Sequence, residues 1–100
     1  MDAQFKKGVL DLVVLSALKE EDRYGYEMME DISRELEVTA GTLYLILKRQ
    51  KDAGYLETYL QESSGGPARK YYHLTEHGRA VLGEKKRAWE AFVGKVAKLI

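Results

Sequence analysis

Four cations lie in two stretches of the sequence that also carry hydrogen-bonding side chains. Lys48 and Arg49 belong to a segment that begins at Thr39, and Arg69 and Lys70 directly follow a glycine-rich turn. Cations arranged along a surface can neutralise the closely spaced phosphates of double-stranded DNA. The residues that could contact DNA are therefore Thr39, Thr42, Tyr44, Lys48, Arg49, Arg69 and Lys70.

Residue types that catalyse reactions or bind metals are sparse. The chain has no cysteine and two histidines, His73 and His77, with no third ligand spaced to join them. It also lacks a glycine-rich phosphate loop after a strand and a nucleophile elbow. We therefore expect no enzymatic activity, no metal site and no cofactor, and we interpret both histidines as ordinary surface residues.

Composition indicates one ordinary globular chain. Of its 100 residues, 45% are hydrophobic and 32% are charged, with 16 cations balanced by 16 acids. The zero net charge excludes a uniformly basic coat but not a local basic face. No apolar run approaches the 18 or so residues of a membrane span, and no signal peptide is visible. The expected location is the cytoplasm, with no membrane partner.

The elements needed to position these residues follow from periodicity and capping signals. The predicted helices are Gly8–Lys19, Arg23–Leu36 capped by Asp22, Ala40–Ala53 capped by Thr39 and followed by Gly54, and a last helix that is capped by Thr75 and runs to Ile100. The predicted strands are Tyr55–Gln61 and Arg69–Leu74, joined by a Ser-Ser-Gly-Gly-Pro turn. The fold class is therefore mainly α with a small β hairpin, an order typical of a winged helix-turn-helix followed by a long helix. Residues 1–74 would form the DNA-binding domain and residues 75–100 a dimerisation helix.

The third helix is the predicted reading helix. Leu43 and Leu47 mark its buried stripe, Gln50 falls within that stripe, and Leu45 and Lys48 lie on the opposite face. Its net charge is +2, and the N-terminal end of such a helix meets base edges in the major groove. The outer face of the second helix has a net charge of −4, which favours the alternative of a protein-interaction module without DNA binding.

The last helix has apolar residues at the spacing of a coiled-coil seam, so its apolar face requires a partner. The predicted dimerisation residues are Val9, Leu82, Trp89, Val93, Val96, Leu99 and Ile100. Trp89 is either a dimer anchor or, with Phe92, an aromatic plate for a flat ligand. Lys85 would disfavour a cationic ligand there, whereas Asp11 would favour one.

Four motifs in the same order resemble those of PadR-type transcriptional regulators. They are Tyr24-Gly25-Tyr26-Glu27, Gly41-Thr42-Leu43-Tyr44, Gly65-Gly66-Pro67-Ala68-Arg69-Lys70-Tyr71-Tyr72 and Leu74-Thr75-Glu76-His77-Gly78. The resemblance implies a bacterial repressor that dimerises through its last helix, which packs against the partner's first helix. The short C-terminal part resembles the small subfamily with multidrug-sensing members, in which paired tryptophans hold planar compounds. On that resemblance, Trp89 occupies the matching place, and Asp11, Leu12 and Leu15 match pocket-lining positions.

Three features depart from the family pattern. Leu45 stands where a proline usually follows the Gly-Thr-Leu-Tyr motif, Gln50 stands at a usual core leucine, and the segment between the second and third helices is short. We interpret the chain as a homodimeric repressor of a palindromic operator, released by a small planar compound. The alternative is the winged-helix protein-interaction module.

Overall fold

The computed structural model describes residues 3–100, and the side-chain surroundings of residues 8–100. In this part of the chain the elements are α1 (Ala3–Ser16), β1 (Arg23–Tyr24), α2 (Gly25–Leu36), α3 (Ala40–Asp52), β2 (Leu56–Gln61), β3 (Arg69–Leu74) and α4 (Glu76–Leu99). The predicted class, mainly helical with a small sheet, is confirmed.

The sheet has one strand more than the sequence predicted. All its strands are antiparallel, in the order β1-β3-β2, with Tyr24 opposite Tyr71 and Leu56 opposite Leu74. The prediction that Asp22 caps the second helix was wrong. Since Arg23 and Tyr24 extend to pair with β3, α2 begins only at Gly25, without a side-chain cap.

Two other predicted caps are confirmed. The Thr39 hydroxyl accepts a hydrogen bond from the backbone N–H of Thr42 at 3.3 Å, and the Thr75 hydroxyl accepts one from Gly78 at 2.9 Å. Gly54 follows α3 with a φ of +83°, a conformation that glycine adopts without strain. α1 ends three residues earlier than predicted, because tight turns replace the helix from Leu18 onward.

One hydrophobic core joins all four helices to the inner face of the sheet. Its buried members are Leu10, Val14, Leu15, Leu18, Met28, Met29, Ile32, Val38, Leu43, Ile46, Leu47, Leu56, Tyr72, Leu74 and Leu82. Gln50 is also buried, at 2% exposure. The core therefore extends into the first half of α4.

The second half of α4 extends away from this core. The whole of α4 has 24 residues and spans about 36 Å at a rise of ~1.5 Å per residue, and the longest dimension of the protein is 54 Å. Phe92, Val93, Leu99 and Ile100 are all exposed on it. Among the described helices, none is both long and apolar enough to traverse a lipid bilayer.

Candidate nucleic-acid interface

The N-terminus of α3 presents small residues, two of them threonines, and the first backbone N–H groups of any helix have no partner within the helix. The hydroxyl oxygens of Thr39 and Thr42 are 2.9 Å apart, so the two hydroxyl groups share a hydrogen bond. No acidic residue occurs in the first turn. Because a helix N-terminus carries partial positive charge, this end of α3 suits an anionic backbone.

The outward face of α3 is opposite its buried stripe, as predicted. Gly41, Leu45 and Lys48 lie on it, and a Cβ added at Gly41 would meet no atom within 4 Å. Lys48 is paired with Asp52 at 3.1 Å, and both side chains are largely exposed. An exposed pair of this kind contributes little to stability, so Lys48 can exchange its partner for a phosphate at small cost.

The wing, which we define as β2, β3 and the turn between them, carries Arg69 and Lys70. The guanidinium carbon of Arg69 lies 4.9 Å from the centre of the Tyr24 ring, and Arg69 Nη1 lies 3.9 Å from Glu27 Oε1. Lys70 Nζ lies 5.9 Å from the centre of the Tyr72 ring. Rings of β1 and β3 therefore hold both cations near the start of α2.

Tyrosine rings on the outer face of the sheet stack on one another across the strands. The ring centres of Tyr24 and Tyr71 are 6.0 Å apart and those of Tyr71 and Tyr59 are 5.7 Å apart, both in stacked geometry. Tyr72, the neighbour of Tyr71, points into the core with 6% exposure. Since the faces of the Tyr71 ring are already covered, this residue packs the hairpin rather than stacking on a base.

Gly25 permits close contact between α2 and the wing. A Cβ at this position would lie 2.7 Å from Cε1 of Tyr72, closer than side chains tolerate. The absence of a side chain thus lets the first turn of α2 lie directly on the Tyr72 ring.

One surface cavity joins α3 to the wing. It measures about 300 Å³ and is lined by Tyr24, Gly25, Tyr26, Tyr44, Ala68, Arg69, Lys70 and Tyr72. Tyr44 comes from α3, whereas Arg69 and Lys70 come from β3. These three predicted contact residues therefore border a single surface. The hydrogen bond that the nearby Tyr26 hydroxyl donates to Glu30 raises the pKa of Tyr26.

Arg49 is held differently from the other predicted contact residues. Its guanidinium forms an ion pair with the Asp11 carboxylate of α1, and the side-chain nitrogen of Gln50 donates to the Asp11 backbone carbonyl at 3.1 Å. Arg49 therefore packs α3 onto α1, and a contact with phosphate would require this pair to break. The Asp11 side chain is 18% exposed and engaged in the same pair.

A second polar cluster was not predicted from the sequence. The Asp22 carboxylate accepts a hydrogen bond from the Tyr59 hydroxyl at 2.7 Å and lies 2.7 Å from Nδ1 of His73. Desolvation acts to raise the pKa of Asp22, but the bonds from His73 and Tyr59 outweigh it and hold the pKa below its ordinary value. The cluster fastens the segment before β1 to both wing strands. His73 is exposed, as expected, and the His77 ring lies edge-on to Tyr55.

The predicted ligand residues are divided between two places. A cavity of about 340 Å³ between α1 and α4, here called the α1–α4 groove, is lined by Gly8, Val9, Leu12, Lys85, Ala88, Trp89 and Phe92. Leu12, Trp89 and Phe92 thus come together as expected. Asp11 and Leu15 do not line the groove, because Asp11 is paired with Arg49 and Leu15 is completely buried in the core.

The predicted dimerisation residues are also divided. Val9 and Trp89 line the α1–α4 groove, while Val93, Leu99 and Ile100 are exposed further along α4 and Val96 is partly buried. Leu82 instead belongs to the core, at 7% exposure. In residues 3–100, no three His, Asp or Glu side chains converge as metal ligands would.

Comparisons with known proteins agree on one family. The model of the "Transcriptional regulator PadR-like family" matches residues 14–84. A PadR-like transcriptional regulator of Bacillus cereus has a crystal structure that superposes with a TM-score of 0.86 at 35% identity, covering 97% of this chain and 96% of that one. The crystal structure of a PadR family transcription regulator of Clostridium difficile superposes with a TM-score of 0.77 at 38% identity, covering 90% of this chain and 95% of that one. Transcriptional regulator Rv3488 of Mycobacterium tuberculosis is 32% identical over 93% of this chain and 87% of its own.

Proposed function

The chain belongs to the PadR-like family of transcriptional regulators, and we propose that it represses transcription by binding a palindromic operator as a homodimer. Regulators of this family bind DNA, are typically dimeric and are not enzymes. The observation that carries this proposal is the cavity that Tyr44 of α3 shares with Arg69 and Lys70 of the wing. A duplex placed against this surface would meet the reading helix and the wing together. A repressor of this kind would act in the bacterial cytoplasm, on the chromosome.

The salt dependence of DNA binding tests the surface. Each lost contact between a cation and a phosphate should lower the slope of log affinity against log salt by about 0.9, so a substitution present in both subunits of the dimer should lower it by about 1.8. We expect this change for Lys48→Ala, Arg69→Ala and Lys70→Ala, and a smaller one for Arg49→Ala because Arg49 is paired with Asp11. Lys86→Ala is the matched control, since this cation pairs with Glu90 on α4, outside the proposed surface.

Absence of any gel retardation at low salt would favour the alternative, a protein-interaction module. The acidic face of α2 is the feature that supports this alternative, with Glu27, Glu30 and Glu35 all exposed. Retention of the parent slope in all four variants of the proposed surface would instead show that DNA binds elsewhere on the chain.

The proposed dimer covers the apolar half of α4. Phe92 and Val93 are 51% and 42% exposed, and they continue the α1–α4 groove along the same helix. Such a continuous apolar surface is typical of an interface between subunits. Val93→Glu should therefore give a monomer in sedimentation, while Leu60→Glu, at a 70% exposed position on β2, should leave the dimer intact. A dimeric Val93→Glu variant would contradict the interface.

The α1–α4 groove is the proposed site for a compound that releases the protein from DNA. Trp89 and Phe92 supply the aromatic wall, and Lys85 is the charged residue among the described side chains that line the groove. Because Asp11 is engaged with Arg49, the charge lining the groove favours a neutral or anionic planar compound over a cationic one. This preference reverses the expectation that Asp11 would attract a cation.

Fluorescence of Trp89, the single tryptophan, provides the assay. Quenching by planar compounds, with loss of binding but retention of the dimer in Trp89→Ala, would support the ligand plate. No quenching, together with a monomeric Trp89→Ala variant, would show that Trp89 is a dimer anchor and would refute ligand release.

A further inference from the structure

Leu45 has no structural reason to be apolar. It lies on the outward face of α3 with 71% of its surface exposed, opposite the buried Leu43 and Leu47. On the same exposed face, Gly41 has no side chain and Lys48 is charged. Leu45 is therefore the large apolar group in the middle of the face that would enter a groove.

The polar side chains near Leu45 already have partners. Thr42 and Thr39 bond at the helix cap, and Lys48 pairs with Asp52. Gly41 leaves space beside the backbone, so the first turns of α3 can approach a duplex closely. A close approach brings Leu45 against the base edges rather than the phosphates.

The major groove offers one apolar feature to such a residue, the 5-methyl group of thymine. We infer that Leu45 determines part of the operator specificity by packing on a thymine methyl group in each half-site. This inference rests on the proposed function, because it takes α3 to be the reading helix. It assigns to Leu45 a contact that the polar residues of α3 cannot make.

Deoxyuridine isolates this contact, because it pairs as thymine does but lacks the methyl group. The full-length protein would first select its sites from a random duplex library. Each thymine of the selected site would then be replaced by deoxyuridine, one position at a time in both half-sites. Burial of one methyl group corresponds to an affinity change of about fourfold, so two symmetric positions should weaken binding by about 15-fold.

The wild type should show this weakening at one thymine position per half-site, and Leu45→Ala should bind both duplexes equally. Leu45→Ala should keep the parent salt slope, since no phosphate contact is removed, and its melting temperature should be unchanged because the side chain is exposed. Lys86→Ala, on α4 and outside the proposed DNA surface, is the control and should discriminate between the duplexes as the wild type does.

Equal binding of thymine and deoxyuridine duplexes by the wild type, a selected site without thymine, or undiminished discrimination by Leu45→Ala would each overturn the inference while leaving DNA binding intact. Failure to select any duplex would overturn the proposed function, and the inference with it. The two failures are thus distinguished by the selection step.

Discussion

Replacing Gln50 by leucine should stabilise the protein. Gln50 is 2% exposed, between α3 and α1, and its side-chain nitrogen donates to the Asp11 carbonyl at 3.1 Å. Its side-chain oxygen is buried and has no hydrogen-bond partner among the described residues. The effect of the substitution on the free energy of unfolding is therefore a difference between two contributions. Losing the hydrogen bond of the nitrogen destabilises the fold, and removing the unpartnered oxygen stabilises it.

The unpartnered oxygen is the larger contribution. A buried acceptor without a partner costs about 1–3 kcal/mol, whereas a typical hydrogen bond contributes about 0.5–1.5 kcal/mol. Leucine removes both and adds apolar surface beside Leu43 and Leu47, which lie in the same buried stripe. We expect the free energy of unfolding to rise by about 1 kcal/mol, or about 4–8 °C in melting temperature for a domain of this size.

Urea and thermal unfolding, followed by circular dichroism at one fixed protein concentration, measure this change, since dimerisation would make stability concentration-dependent. Gln50→Met tests the same idea with a linear side chain of similar volume. Gln61→Leu, at an exposed position on β2, is the control and should stay within about 0.5 kcal/mol of the parent. Lower stability in both Gln50 variants would refute the reasoning and show that the bond to Asp11 outweighs the unpartnered oxygen.

Three further predictions concern polar clusters and glycines. Because the folded-state pKa of Asp22 is lowered, its contribution is present above the ordinary carboxyl pKa of 3.8 and is lost as pH falls through the folded value. Asp22→Asn should therefore reduce the melting temperature at pH 7 and flatten its decline below about pH 4; parallel curves for parent and variant would contradict this. Gly78→Ala should destabilise strongly in urea melts, since a Cβ there would lie 2.1 Å from a backbone carbonyl oxygen, whereas Gly41→Ala meets open space and should stabilise by up to about 1 kcal/mol. Arg49→Ala and Asp11→Ala should each lower the free energy of unfolding by about 1 kcal/mol, and the double variant should lose little more, because both substitutions remove the same ion pair. Additive losses in a double-mutant cycle would show that the two side chains do not interact.

Local patterns predicted the elements because the interactions that define them are local. Thr39 and Thr75 each bond a backbone N–H three residues ahead, so their capping role follows from sequence spacing. Gln50 falls within the buried stripe of α3 because helical periodicity fixes its angle. The turn between β2 and β3 likewise follows from its glycines and proline.

Interactions between distant residues were not predictable in this way. Asp22 fits the sequence pattern of a helix cap, but its carboxylate instead forms a hydrogen bond with His73, 51 residues away. Strand β1 has two residues, too few for any alternation to show, and it forms only because β3 offers a free edge. The pairing of Arg49 with Asp11 spans 38 residues, and it engages one predicted DNA-contact residue and one predicted ligand residue with each other.

That pairing also connects the two proposed sites. Leu12 lines the α1–α4 groove, and the adjacent Asp11 holds α3 through Arg49 and Gln50. The orientation of α3, the proposed reading helix, is therefore tied to α1, which forms one wall of the groove. A compound can change DNA affinity only by as much as its own affinity differs between the two arrangements of the protein. A compound that displaces α1 on entering the groove would therefore reorient α3 through Asp11 and weaken DNA binding in the proposed mechanism.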